Sequence, residues 1–152
     1  MSVLRLAAAT LALSAMSGCA TTALEDIPVF EADLGIIGEF NDEMGTNHMI
    51  SADMWTKTDA DGAVTKFHIA RHDNIIMYVL AENDSANADS PGMWSRFDWI
   101  RDDMRTLYFC TVATDAKDVG TVYEMPNPDW DDLDAGCHSA AWTMVPDEVD
   151  MN

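Results

Sequence analysis

The sequence predicts an all-β fold, a single antiparallel meander that closes into a small barrel, with a two-sheet sandwich as the alternative. Short apolar or alternating segments recur along the chain, separated by turn-forming Asp, Asn, Gly and Pro residues. Sustained helical periodicity is almost absent from these segments. A pair of cysteines in the second half further predicts one disulfide.

The strands follow in chain order from these segments. The first is ended by the Asn41–Gly45 turn, and Asp61-Gly62 is a favoured hairpin pair. A polar loop over residues 82–92 precedes a hairpin around Arg101–Arg105, and the acidic stretch 115–135 is irregular, with one helical turn at most. The predicted strands cover residues 36–40, 48–57, 64–71, 75–81, 94–100, 106–114 and 140–145.

The start of the chain has the form of a secretory leader. Arg5 supplies a positive charge, residues 6–16 form an apolar run, and small residues lead to Cys19. The apolar run is shorter than the 18 or more residues that cross a bilayer as a helix. The predicted organisation is a signal peptide at 1–18, a lipidated cysteine and tether at 19–34, the β-domain at 35–146 and a disordered tail at 147–152.

The tetrapeptide Met16-Ser17-Gly18-Cys19 resembles the lipobox of bacterial lipoproteins, although Leu is more usual than Met at its first position. The resemblance implies that Cys19 becomes the lipidated first residue and that a membrane is a partner through that lipid. Several acyl chains hold firmly, because each buried CH2 contributes about 0.8 kcal/mol. Ala20, which is not Asp, implies the outer membrane of the bacterial cell envelope. Cleavage near Ala15 or Ala20 without lipidation is the alternative.

The chain is strongly acidic. Without residues 1–18, which contain Arg5 and no acidic residue, 134 residues carry 7 basic and 27 acidic side chains and a formal charge of −20. Such a surface repels nucleic-acid phosphates, so a nucleic-acid partner is excluded. A solvated acidic surface explains the charge without any specific cation site.

Cys110 and Cys137 are the cysteines that remain after Cys19. In an exported protein such a pair predicts a disulfide, because the compartment is oxidising. Its loop of 27 residues corresponds to about 3.5 kcal/mol of stabilisation in the chain-entropy model. No CxxC spacing supports metal binding by this pair.

A candidate ligand site lies on the strand predicted after the polar loop. Trp94, Arg96 and Asp98 share one face of that strand, because side chains alternate. With Asn83 and Asn87 from the loop they would line a polar, aromatic barrel mouth suited to a small ligand. The alternative, which we favour, is a packed face with an Arg–Asp pair that ties the strand to a loop.

The body of the chain is similar to a group of small exported β-rich bacterial lipoproteins of unassigned function. The resemblance covers most of residues 36–145 and implies a scaffold but no activity. It is carried by the segments Asn83–Asn87, Trp94–Trp99, Leu107–Cys110, Gly136-Cys137 and Trp142-Thr143.

Metal and cofactor signals are weak, and no cofactor is predicted. The Asp59–Gly62 segment is a hairpin turn and does not fit a calcium loop. Four carboxylates beside Trp130 could bind Ca2+ weakly, but they lack the glycine and the terminal glutamate of such a loop. They belong to Asp129, Asp131, Asp132 and Asp134.

Motifs of catalysis, such as Gly-x-Ser-x-Gly or His-Glu-x-x-His, are absent from the sequence. We therefore predict no enzymatic activity. The first hypothesis is a lipid-anchored envelope protein with a non-catalytic interaction or structural role. A small-ligand-binding lipoprotein with its site at the barrel mouth is the alternative, and an envelope hydrolase the second alternative. The partner, an envelope protein or a small ligand, is not identified by the sequence.

Overall fold

A computed structural model describes residues 22–30 and 32–146. Its strands form one antiparallel sheet whose order follows the chain, so the predicted all-β meander is confirmed and the two-sheet sandwich is not adopted. Cys19, the leader before it and residues 147–152 lie outside the described residues. The elements are β1 (Gly38–Asn41), β2 (Asn47–Ile50), β3 (Met54–Thr58), β4 (Val64–Asp73), β5 (Tyr78–Asn83), β6 (Trp94–Arg101), β7 (Leu107–Ala116), the helix α1 (Val119–Tyr123) and β8 (Thr143–Val145).

The sheet curves until its two edges meet, which gives a nearly closed barrel. The N–H of Glu43, just after β1, donates to the carbonyl of Met144 on β8 at 2.9 Å. The N–H of Met144 in turn donates to the Glu43 carboxylate at 3.1 Å. These two bonds join the first and last strands at one end of the barrel.

The strand predicted over residues 48–57 is two strands, β2 and β3. Ser51 breaks the run, because its hydroxyl accepts from the N–H of Met54 at 3.0 Å and donates to Asp53 at 2.7 Å. This local bonding turns the chain, so Ile50 pairs with Trp55 across the hairpin. The sheet therefore has eight strands, one more than the segments predicted.

The strand predicted to begin at Ile75 begins at Tyr78. Asp73 accepts hydrogen bonds from the N–H groups of Ile75 and Ile76 at 2.6 and 2.9 Å, which fixes a turn there. Met77 has a φ of 60°, and Ile75 is 75% exposed. The apolar character of this run indicated a strand, but the Asp73 side chain determines the local backbone.

Aromatic side chains fill the barrel interior. Trp55 lies 4.7 Å from Phe97 and 4.8 Å from Phe109 between ring centroids, and Phe67 lies 4.8 Å from Phe97. Such tilted and edge-on pairs add to the burial of apolar area. The buried members of this cluster are Leu34, Ile36, Ile50, Trp55, Phe67, Val79, Ala81, Phe97, Trp99, Leu107, Phe109 and Val145.

Residues 24–27 pack against the outside of the barrel, where the sequence predicted a tether. Ile27 is 1% exposed and contacts a second cluster with Leu80 and Val122. The guanidinium of Arg71 donates to the carbonyls of Leu24 and Ile27 at 3.1 and 3.4 Å. This segment is thus part of the domain, although its acidic sequence has too few apolar residues to show a period.

The predicted disulfide between Cys110 and Cys137 is present, with a Cα–Cα distance of 5.5 Å. It joins β7 to the irregular segment that returns to β8. Trp142 packs against it, and the indole N–H of Trp142 donates to the carbonyl of Asp129 at 3.1 Å. The disulfide therefore holds a loop with little regular structure against the outer face of the sheet.

Candidate functional site

Arg96 and Asp98, the central residues of the predicted ligand site, lie on the outer face of β6 beneath α1 and the chain that follows it. Their neighbour Phe97 points into the barrel, so the alternating faces are as predicted. Arg96 is 2% exposed and Asp98 is 0% exposed. The structure therefore places this pair under a packed cover, outside the barrel interior.

Every nitrogen of the Arg96 guanidinium has a partner. Nε donates to Asp98 Oδ1 at 2.7 Å and Nη2 to Asp98 Oδ2 at 2.9 Å. Nη1 donates to the carbonyl of Met125 at 2.8 Å, and Nη2 also donates to Asn127 Oδ1 at 2.6 Å. The pair ties β6 to the chain after α1, and these bonds leave the guanidinium no group for a ligand.

Burial shifts the pKa values of two groups near Arg96. It raises the pKa of the Asp98 carboxyl, although the hydrogen bonds and charge of Arg96 oppose this. Burial also raises the pKa of Tyr78 to about 12, and the Arg96 guanidinium lies 5.4 Å from the centre of that ring. These groups form a structural network of the kind that fixes one loop conformation.

The side-chain amides of Asn83 and Asn87 are also hydrogen-bonded within the protein. Asn83 Nδ2 donates to the carbonyls of Ser90 and Thr114 at 2.8 and 2.7 Å. Asn87 exchanges two hydrogen bonds with the backbone of Lys66, at 2.9 and 2.8 Å. These hydrogen bonds hold the polar loop in place. Trp94 is half-buried in the cluster under α1.

A cavity does open at the barrel mouth beside Asn83. Its volume is about 190 Å3, below the range of roughly 300–1,000 Å3 typical of pockets for drug-sized ligands. Trp94, Arg96 and Asp98 do not line it. Its lining residues are Lys57, Asp59, Thr65, Phe67, Asn83, Asp89, Ser90 and Thr114.

His48 is a buried titratable residue that the sequence did not single out. Its Nε2 bonds Asp42 Oδ2 at 3.1 Å, and its Nδ1 accepts from the indole N–H of Trp55 at 3.1 Å. Nδ1 is thus an acceptor and Nε2 carries the proton. Burial lowers the pKa of His48, and the bond to Asp42 offsets this only in part. Since both ring nitrogens are occupied, His48 is not arranged as a general base.

The carboxylates proposed for Ca2+ are used in turns. Asp129 accepts from the N–H of Asp131 at 3.0 Å, and Asp132 accepts from the N–H groups of Asp134 and Ala135 at 3.1 and 3.0 Å. Within residues 22–30 and 32–146, no three His, Cys, Asp or Glu side chains are grouped so as to hold a metal ion. The residues there instead stabilise the loop by Asx turns.

The opening in the barrel wall is a second site that the sequence did not reveal. We call it the seam. Beyond the Glu43–Met144 contact the edges of β1 and β8 diverge and leave a cleft of about 260 Å3. Its floor is apolar, while Glu39, Asn41 and Arg101 are polar residues at its rim. The seam is lined by Ile37, Gly38, Glu39, Phe40, Asn41, Arg101, Leu107, Val145 and Pro146.

The position of Pro146 explains why the seam stays open. Glu43 pairs with Met144, so in an antiparallel register Asn41 would pair with Pro146. Proline has no N–H to donate, so the Asn41 carbonyl lacks a donor there, and among the described residues β1 and β8 form no ladder. A proline directly after a short last strand is the one signal in the sequence that pointed to this opening.

No protein-family model, curated protein or solved structure matches the chain. Among the described residues, no helix has the length and apolar character needed to span a bilayer.

Proposed function

We propose that this protein is a lipid-anchored protein of the bacterial cell envelope, in the outer membrane, with a non-catalytic interaction role. The observation that carries the proposal is the leader that ends in Met16-Ser17-Gly18-Cys19. The Cys110–Cys137 disulfide supports it, because such bonds persist in the oxidising compartments that exported proteins reach.

The packed segment before β1 makes the proposed anchor a short one. The Thr22 hydroxyl bonds the Glu124 carboxylate, and the Thr22 carbonyl lies against Gly120 of α1. Two residues lie between Cys19 and Thr22, so the three residue steps span at most about 11 Å in extended chain. A lipid on Cys19 would therefore hold the domain close to the membrane surface.

The chemistry of the buried groups supports a non-catalytic role. Arg96 and Asp98 form hydrogen bonds with each other, and Arg96 also bonds the chain after α1. Both ring nitrogens of His48 are hydrogen-bonded. Within the described residues these are the buried charged and imidazole groups, together with Asp42. An envelope hydrolase would need one of them to face a cleft with a free donor or acceptor.

The cavity at the barrel mouth favours a second candidate function, the binding of a small ligand. Lys57, Asp59 and Asn83 offer polar groups around a volume of about 190 Å3. We rank it second because this volume is small and the Asn83 amide is already bonded to Ser90 and Thr114.

Intact mass of the protein extracted from its native membrane, with and without reduction, tests the proposal. We expect residues 19–152 plus acyl chains, and a gain of about two daltons on reduction of the disulfide. Cys19→Ser should abolish acylation, while the matched variant Ser17→Ala should keep it. A non-acylated mass for the unaltered protein would overturn the anchor and move the small-ligand function ahead.

A further inference from the structure

We infer that the seam binds an extended peptide segment of an envelope partner, which adds a strand to β1 and places Lys or Arg opposite Glu39. The inference rests on the proposed interaction role and adds a site and a partner chemistry to it. Three features of the seam carry it: its free main-chain edge, its apolar floor and its charge.

The main-chain edge belongs to β1. The N–H of Asp42 donates to Thr46 in the β1–β2 turn, so by alternation the backbone groups of Phe40 and Gly38 face β2. Those of Glu39 and Asn41 face the seam, as the Glu43 N–H does. In the described part of the chain these groups have no main-chain partner, and Pro146 offers no N–H to the Asn41 carbonyl. A peptide strand would satisfy two donors and two acceptors there.

The side chains that line the seam determine which residue types a bound peptide strand would have. Residues opposite Gly38 and Phe40 would point into the cleft above Leu107 and Val145, which favours short apolar side chains. The Phe40 ring covers Gly38 closely, because a Cβ on Gly38 would lie 2.8 Å from that ring.

On the outward face of β1, Glu39 favours a basic residue at the opposite position of the peptide. Glu39 is exposed and, within residues 22–30 and 32–146, has no basic partner; its carboxylate accepts only from the Asn47 amide at 3.1 Å. A cross-strand Lys or Arg would supply the missing charge. The formal charge of the domain also draws basic segments and repels a second copy. The chain's own continuation is a poor complement, since Asp147, Glu148 and Asp150 would bring carboxylates to Glu39.

The test uses the oxidised, exported protein, isotope-labelled, with the peptide acetyl-Lys-Val-Lys-Val-Lys-amide as probe. Amide hydrogen exchange should slow at least tenfold at Glu39 and Asn41 when the peptide saturates. Gly38 and Phe40, already paired with β2, should be unchanged. N-methylation of the central lysine should abolish binding because that N–H faces β1, while N-methylation of a valine should be tolerated.

Charge variants make the test specific. Glu39→Lys should weaken the basic peptide about fivefold to tenfold and make acetyl-Glu-Val-Glu-Val-Glu-amide the better ligand. Glu82→Lys reverses the charge of the exposed residue of β5 and is the matched control. It should leave the peptide preference unchanged.

Several results would overturn the inference: no binding, binding without slower exchange at Glu39 and Asn41, or the same peptide preference in Glu39→Lys. Protection of both amides in the free protein would also overturn it. In a monomer it would assign the seam to the chain's own continuation, and in a dimer to a second copy. A protein that lacks acyl chains but binds the peptide would overturn the anchor and leave this inference standing.

Discussion

Arg96 and Asp98, two residues apart on β6, form a bidentate ion pair almost completely shielded from water, with N···O distances of 2.7 and 2.9 Å. A charge removed from one side would leave the other buried and unpaired, which is among the larger energetic penalties in a protein interior.

We therefore expect Asp98→Asn to lower the free energy of unfolding by about 3–5 kcal/mol. The double variant Arg96→Met/Asp98→Leu should recover much of this loss, because it removes both charges. Urea unfolding with the disulfide intact measures both, and Arg101→Met, at an exposed site, should change stability by no more than about 0.5 kcal/mol. A small effect of Asp98→Asn alone would contradict the role of the pair.

His48 should make stability depend on pH. Burial lowers its pKa below the usual 6.5, so the unfolded chain takes up a proton at a higher pH than the folded protein does. The stability that His48 contributes is complete above pH 6.5 and is lost as the pH falls below it, by at most about 1.4 kcal/mol per pH unit. Unfolding free energies between pH 7.5 and 5 should show this slope in the unaltered protein and in His68→Gln. In His48→Gln the slope should be flatter, and equal slopes in all three would rule the explanation out.

The disulfide should stabilise the protein by constraining the unfolded chain. The double variant Cys110→Ala/Cys137→Ala should lose about 3.5 kcal/mol, the value for a loop of 27 residues. Guanidinium unfolding of the variant, and of the unaltered protein with and without reductant, measures the loss. The reduced protein should match the variant, and an unchanged midpoint would show that the packing around Trp142 holds the loop by itself.

Gly120 should control how the segment before β1 docks. An added methyl group would collide with the Thr22 backbone, so Gly120→Ala should cost about 1–3 kcal/mol. Hydrogen exchange of residues 23–30 should accelerate in the variant while the barrel strands stay protected. Lys117→Ala, at an exposed site just before α1, serves as the control, and equal exchange in both variants would speak against the docking.

Much of the fold follows from local pattern. The alternation of Phe97 and Trp99 with Arg96 and Asp98 predicted two faces of β6, and both faces are as expected. The Ser51 turn was missed, and the turn after β4 is longer than predicted, because it continues through the apolar residues Ile75, Ile76 and Met77. At both places side-chain hydrogen bonds, from Ser51 and Asp73, determine the backbone, and the hydrophobicity of the neighbouring residues does not.

The candidate site was less predictable, because it depends on which strands become neighbours. The predicted ligand residues do not converge on one site: Asn83 lines the cavity at the barrel mouth, whereas Arg96 and Asp98 lie on the outer face of β6. Asn83 and Arg96 bond backbone groups distant in sequence, which no local pattern indicates. The seam exists because β1 and β8, the first and last strands in the sequence, become neighbours in the barrel. Only Pro146, at the end of the last strand, offered a local sign of it.

The short free edge of β1 limits how molecules of this protein associate when they are crowded on one surface. A long free edge would let molecules join strand to strand and grow into fibrils. Among the described residues, the β1 edge presents main-chain groups at Glu39 and Asn41 alone, Glu39 carries a carboxylate, and Pro146 offers no N–H on the opposite edge. An incoming strand can be recognised there, yet the described part of β8 gives polymerisation no matching second edge from which to continue.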